Sequence, residues 1–238
     1  MELRNKVAII TGASRGIGKS IAMAFAAEGS HLILAARRKD LLEEVAQAAR
    51  RHNVEVEIAA VDLREEAQVK DLVQAAVKKF NRLDILINNA GLGYFKAIAE
   101  MTAAEWDEMF GVNLRAVFLA TREALPHLRR AGESFVINVA SLAGKNTFVN
   151  GGGYTATKWG LRAFAQCLML EERKHGVHVL TICPGSVATE FGQGNERSPR
   201  SQKPDIIRPE DVAQCLLAAV KMPPQVMVSE IDIRPANP

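Results

Sequence analysis

The chain has 238 residues, 48% of them apolar and 24% charged, an ordinary globular composition that predicts one domain over residues 1–238 and leaves no long polar tract to stay unfolded. Its formal charge is +3, with Lys and Arg interleaved among Glu and Asp, which excludes a nucleic-acid stripe, and no apolar run reaches membrane-spanning length. The three cysteines, Cys167, Cys183 and Cys215, form no C-x-x-C pair and have no histidine at ligand spacing, so no metal site is expected and a reducing, cytoplasmic compartment is.

The first apolar run, Lys6–Ile10, predicts a strand that starts too early to leave space for a signal peptide. It leads into Thr11-Gly-Ala-Ser-Arg-Gly-Ile-Gly18 and a helix over Ile17–Glu28. A strand, a glycine-rich turn and a helix in that order form a cradle for a pyrophosphate, with the free N–H groups of the helix start turned to the phosphates. Gly12, Ser14, Arg15, Gly16, Ile17 and Gly18 are the candidate contacts; a plain glycine turn is the alternative. The next strand, His31–Ala36, ends on Arg37 and Arg38, where a carboxylate would receive the ribose 2′-hydroxyl of NAD. Cations there suit a 2′-phosphate, which favours NADP(H) over NAD(H), unless both arginines are solvated helix-start charges. A helix over Leu41–Arg51 and a strand over Val54–Val61 follow, and Asp62-Leu63 stands where an adenine amino group can be received or where an Asp merely starts a turn.

A helix over Glu65–Phe80 precedes the strand Leu83–Asn88, which ends in Asn89, Ala90 and Gly91, small enough for a ribose to lie against the backbone. One long helix is predicted over Ala103–Leu128, then a strand over Ser134–Ala140 with Ser141 at its end. In the helix predicted over Thr155–Lys174, Tyr154 and Lys158 are four residues apart, hence on one face, where an ammonium is expected to lower the phenol's pKa and fit it for proton transfer. His175 and His178 bracket a turn and read as solvated. Beyond the strand Val177–Ile182, the irregular stretch Glu190–Pro209 is either a lid over a substrate or a surface connection; a helix over Pro209–Val220 and a strand over Val226–Ile233 complete the chain. The strands are continuous apolar runs alternating with helices, which predicts an α/β fold with a parallel, doubly wound sheet covered on both faces.

Taken together, TGASRGIG at Thr11–Gly18, NNAG at Asn88–Gly91, Asn113, Ser141, Tyr154-x-x-x-Lys158 and Pro184-Gly185 followed by Thr189 resemble the short-chain dehydrogenase/reductase family over nearly the whole chain, and within it members like the 3-oxoacyl-carrier-protein reductases. The C-terminal stretch Ser229–Pro238 departs from those reductases. The resemblance implies a Rossmann-type sheet of about seven strands in the order 3-2-1-4-5-6-7 and hydride transfer between NADP(H) and a small-molecule carbonyl or alcohol. It implies that Tyr154 is the proton donor and acceptor, that Lys158 also holds the nicotinamide ribose, that Ser141 bonds the substrate oxygen, and that Asn113 anchors a water next to Lys158. Pro184, Gly185, Val187 and Thr189 would wrap the nicotinamide. Leu92, Gly93, Tyr94, Leu142, Ala143, Asn146 and the Glu190–Pro204 stretch would line the substrate, with Gly185 beside it; small and apolar residues there favour a neutral or hydrophobic ketone. A homotetramer (or dimer) built through the helices near Ala103–Leu128 and Thr155–Lys174 is also implied. The alternative from another class is an NADP(H)-binding sensor or interaction protein that keeps the fold without turnover.

Overall fold

A computed structural model describes residues 1–191 and 206–236. Seven parallel strands form one sheet: β1 (Val7–Thr11), β2 (His31–Ala36), β3 (Val56–Ala60), β4 (Ile85–Asn88), β5 (Ser134–Val139), β6 (Val177–Pro184) and β7 (Glu230–Ile233). Their order is β3-β2-β1-β4-β5-β6-β7. The helices are α1 (Gly16–Ala27), α2 (Lys39–Arg50), α3 (Glu66–Phe80), α4 (Ala103–Phe110), α5 (Ala116–Ala131), α6 (Gly152–Glu172) and α7 (Pro209–Val220).

The central strand shows why the apolar runs are unbroken. Every residue of β1 is buried, and successive side chains enter different cores. Ala8 and Ile10 pack with Phe25 of α1 and Leu216 of α7, while Val7 and Ile9 pack with Leu72 of α3 and Leu119 of α5. A fully buried side chain such as Phe25 contributes roughly 1.5–3 kcal/mol. Because β1 is followed through the sheet by β2 and β3 on one side and by β4 onward on the other, the strand order reverses between β1 and β4. In an open parallel sheet that reversal leaves a crevice outside the carboxyl ends of the strands.

Three expectations change. The helix predicted over Ala103–Leu128 is α4 and α5 joined by a π-helical turn, Gly111–Arg115, at whose centre Asn113 is buried and bonded to residues outside its own helix. Such a turn inserts a residue into the helical ladder and re-aims a side chain. The strand predicted from Val226 begins only at Glu230, because Val226 closes a turn onto Pro223 (N···O 2.8 Å). His178 is not in a solvated turn: the turn is made by Gly176, at φ +74°, and His178 lies in β6 with its ring stacked on Phe135, centroids 4.8 Å apart. No helix among the described residues is long and apolar enough to cross a membrane.

Candidate active site

A cleft of about 1570 Å³ opens at the carboxyl ends of the central strands. At one end lies the loop between β1 and α1. Gly12 has φ +64°, and a Cβ there would stand 2.8 Å from Ala90 Cα. At Gly18 a Cβ would come 2.3 Å from the Gly12 carbonyl oxygen and 2.4 Å from Asn89 Nδ2. Both positions require glycine, because the loop is pressed against the end of β4. Hydrogen bonds hold it there. Asn89 Nδ2 donates to the carbonyls of Thr11 (2.9 Å) and Gly12 (3.1 Å), and Thr11 Oγ1 accepts from the backbone N–H groups of Asn89 (3.0 Å) and Ala90 (3.1 Å). Opposite this loop, Pro184 to Thr189 leave β6, with Gly185 N–H donating to Ile233 O (2.8 Å) and Ala188 N–H to Ile207 O (2.8 Å). Thr189 packs so closely over the glycine loop that its Cγ2 would be 3.2 Å from a Cβ at Gly16.

Charge is sorted along this end. Arg37 is exposed on the cleft wall, and among the described residues no carboxylate pairs with it. Arg38 shares the wall, but its guanidinium is held by Asp40 at 2.6 Å. Arg15 stands 3.8 Å from Glu190. Asp62 accepts from the guanidinium and the backbone N–H of Arg64, and these bonds hold its carboxyl below the usual carboxylate range, so it is a fixed acceptor on the cleft wall.

At the other end, α6 brings Tyr154 and Lys158 to the end of β5, where Ser141 begins a short 3-10 turn, Leu142–Gly144, and its hydroxyl accepts from Ala143 N–H (3.1 Å). Lys158 is buried and donates to Val139 O at 3.0 Å. Asn113, fully buried, accepts from Leu92 N–H (2.9 Å) and donates to Leu92 O (2.8 Å) and to Thr157 Oγ1 (3.0 Å). Thr157 in turn donates to the Tyr154 carbonyl (2.7 Å), so the π-helical turn, the segment after β4 and the first turn of α6 are tied together under the site. Gly91 lies where they meet, since a Cβ there would be 3.3 Å from Asn113 Oδ1 and 3.6 Å from Lys158 Nζ.

The electrostatics correct one expectation. Burial pushes the Tyr154 phenol up to about 12, and the nearby Ser141 hydroxyl draws it back only in part. Lys158 does not bring it below its ordinary value: its ammonium donates to Val139 O and stands 5.7 Å from the centre of the phenol ring. Desolvation therefore outweighs the neighbouring cation. The same burial lowers Lys158 from 10.5 to about 8. Between those two values the unfolded chain holds the proton more firmly than the folded one, so raising pH favours folding. The stability of the protein relative to Lys158→Met is expected to rise by about 3 kcal/mol between pH 7 and pH 10.5. Paired thermal or urea unfolding curves across that range measure it, and a difference independent of pH contradicts the buried cation.

Of the residues expected to line a substrate, Leu92, Leu142, Ala143 and Asn146 line the cleft. Gly93 and Tyr94 do not; the Tyr94 hydroxyl donates to Glu108 at 2.5 Å, outside the cleft lining. Residues 192–204 of the Glu190–Pro204 stretch lie outside the described residues. The sequence reading missed Phe95 and Phe148, which stand in irregular segments where no periodicity marks them; their only signal was adjacency to the Asn88–Gly91 and Ser141 motifs.

The short chain dehydrogenase family pattern matches residues 6–199. An uncharacterized oxidoreductase of Staphylococcus saprophyticus is 34% identical over 236 residues, covering 99% of each chain. Glycine betaine reductase of Emericella nidulans is also 34% identical, over 99% of this chain, which spans only 19% of that much longer protein. Among solved structures, an alcohol dehydrogenase from the archaeon Thermococcus sibiricus, complexed with 5-hydroxy-NADP, matches with a TM-score of 0.91 at 34% identity, covering 98% of this chain and 97% of that one. A metagenomic short-chain oxidoreductase in complex with NADP matches with a TM-score of 0.87 at 33% identity over 99% of both chains. The chain therefore belongs to the short-chain dehydrogenase/reductase family and is an oxidoreductase.

Proposed function

We propose that the protein is an NADP(H)-dependent carbonyl reductase and alcohol dehydrogenase in which Tyr154 gives and takes the proton. The observation that carries this reading is one cleft with a glycine cradle at one end and the Tyr154, Ser141 and Lys158 side chains at the other. The cradle fits a dinucleotide: side chains at Gly12 and Gly18 would collide with Ala90, Asn89 and the Gly12 carbonyl, leaving bare backbone and the α1 N-terminus to meet a pyrophosphate. Arg37 has no carboxylate partner among the described residues and suits a 2′-phosphate, and Asp62 suits an adenine amino group. The NADP-bound neighbours support the same choice.

When bound, the dinucleotide supplies or accepts the hydride. The chain's own groups manage the oxygen. A phenol held near 12 is protonated at neutral pH, so Tyr154 enters the reducing direction as a proton donor. Ser141 holds the carbonyl oxygen as negative charge grows on it, and Tyr154 Oη delivers its proton there. Lys158, buried nearby, stabilises the negative charge left on the phenol oxygen. Asn113 fixes the relative positions of Leu92 and α6. The cleft's apolar lining favours a neutral or hydrophobic ketone.

Loss of NADPH absorbance with a panel of neutral ketones tests the activity; binding without turnover of any of them would refute it. The same assay with NADH tests the cofactor. Arg37→Asp, which sets a carboxylate where the 2′-phosphate would lie, is expected to reverse the preference, with the NADPH-to-NADH ratio of kcat/KM falling by about 10² or more, since a charge-assisted pair is replaced by a repulsion. A ratio left within twofold would remove Arg37 from the phosphate site.

A further inference from the structure

Two phenyl rings, Phe95 and Phe191, pack against the hydroxyl-bearing ring of Tyr154, and a third, Phe148, packs against Phe95. Phe95 meets the Tyr154 ring edge-on, with centroids 5.4 Å apart and planes at 71°, and Phe191 lies 5.6 Å from it at 54°. Phe95 is also 6.0 Å from Phe148 and 6.4 Å from Phe191. They come from three separate irregular segments, after β4, between the Ser141 turn and α6, and after β6, so no single helix or strand brings them together.

The backbone is shaped to admit them. A Cβ at Gly93 would lie 2.9 Å from Phe95 Cζ and 3.3 Å from Phe191 Cε1, and one at Gly151 would lie 2.6 Å from Phe148 Cζ. Tyr154 is 8% exposed, whereas Phe95, Phe148 and Phe191 are 37%, 48% and 40% exposed and all line the cleft, so ring surface faces the space beside the phenol. Charged groups lie elsewhere or are engaged among the described residues. Arg37 is at the end of β2, across β1 from Tyr154; Arg234 is held by Asp232 at 3.4 Å; and Lys158 is bonded to Val139 O.

Building on the ketone-reductase reading above, we propose that the substrates are neutral ketones carrying an aromatic ring next to the carbonyl, and that Phe95 and Phe148 select them. In the reaction a hydride from NADPH bonds to the carbonyl carbon, the C=O π pair moves to oxygen, and that oxygen takes the Tyr154 proton. The products are an aryl carbinol, NADP⁺ and a Tyr154 phenolate, which regains its proton from solvent. Apolar contact area alone would hold a saturated ring equally well. Edge-on aromatic contacts add to it, by about three- to tenfold in binding. A carboxylate on the ring would be stripped of water against phenyl faces, while the nearest cations of the cleft, Lys158 and Arg234, are already engaged by Val139 O and Asp232.

The test compares methyl ketones bearing a phenyl, a cyclohexyl or a para-carboxyphenyl group, using the full chain with NADPH. In kcat/KM, phenyl is expected to exceed cyclohexyl by about three- to tenfold and the carboxylated ketone by about tenfold or more. Phe95→Leu and Phe148→Leu should each draw the phenyl-to-cyclohexyl ratio toward one, with NADPH binding reporting that the variants are folded. Calorimetric titration of the NADPH-loaded chain with the two uncharged carbinols, a pair between which no hydride can pass, reads the same preference without turnover. A wild-type ratio of one or less, a ratio unchanged in both variants, or a faster carboxylated ketone overturns the aromatic-substrate proposal and leaves the reductase reading intact. Turnover of none of the three, with NADPH bound, fails the reductase reading itself.

Discussion

Tyr154→Phe is expected to lower ketone reduction and alcohol oxidation by about 10²–10⁴-fold, the range that a positioned general acid or base contributes. The substitution removes one oxygen and keeps the ring. The edge-on contact with Phe95 and the contact with Phe191 remain, and the bond from the Thr157 hydroxyl to the residue 154 carbonyl is untouched. Dinucleotide affinity, read by calorimetry or nucleotide fluorescence, should therefore stay within a few-fold of wild type while turnover collapses. A variant that loses both would show that the hydroxyl shapes the cleft instead of moving a proton.

The second large effect is at the opposite end of the cleft. In Gly18→Ala the new methyl would lie 2.3 Å from the Gly12 carbonyl oxygen, and the carbonyl, being backbone, cannot swing aside. The loop must lift from Asn89, which anchors it through the Thr11 and Gly12 carbonyls. If two charge-assisted bonds from the α1 start to a pyrophosphate are lost, at about 1.5–3 kcal/mol each, the dinucleotide Kd rises by roughly 10²–10⁴-fold. The sheet should survive, because overpacking at one position costs about 1–3 kcal/mol, and circular dichroism with thermal unfolding checks that it does. Unchanged affinity in a folded Gly18→Ala chain would take the phosphates off this loop.

Much of this architecture is legible in the residues. β1 and β2 read as unbroken apolar runs because helices cover both sheet faces, and the motif glycines announce themselves because only they tolerate the approach of Ala90 and Asn89. What was hidden depends on tertiary contact. The π-helical turn exists because Asn113 is drawn to Leu92, twenty-one residues earlier in the chain, and helical periodicity cannot register that. Tyr94 looked like a pocket residue from its place after Asn88–Gly91, but a carboxylate on α4, Glu108, turns it away. The i, i+4 spacing of Tyr154 and Lys158 correctly put both on one face, yet spacing says nothing of burial, and burial is what raises one group and lowers the other.

The chain contains two tyrosines, Tyr94 and Tyr154, so in a Tyr94→Phe background uniform replacement of tyrosine by 3-fluorotyrosine changes position 154 alone. Fluorine makes the phenol a stronger acid while barely altering its size. If the hydroxyl at 154 carries the proton, the pH at which alcohol oxidation rises must move to lower values in the fluorinated protein relative to the same chain with ordinary tyrosine. A profile that does not move, with turnover and dinucleotide binding both retained, would contradict the central role given to this phenol.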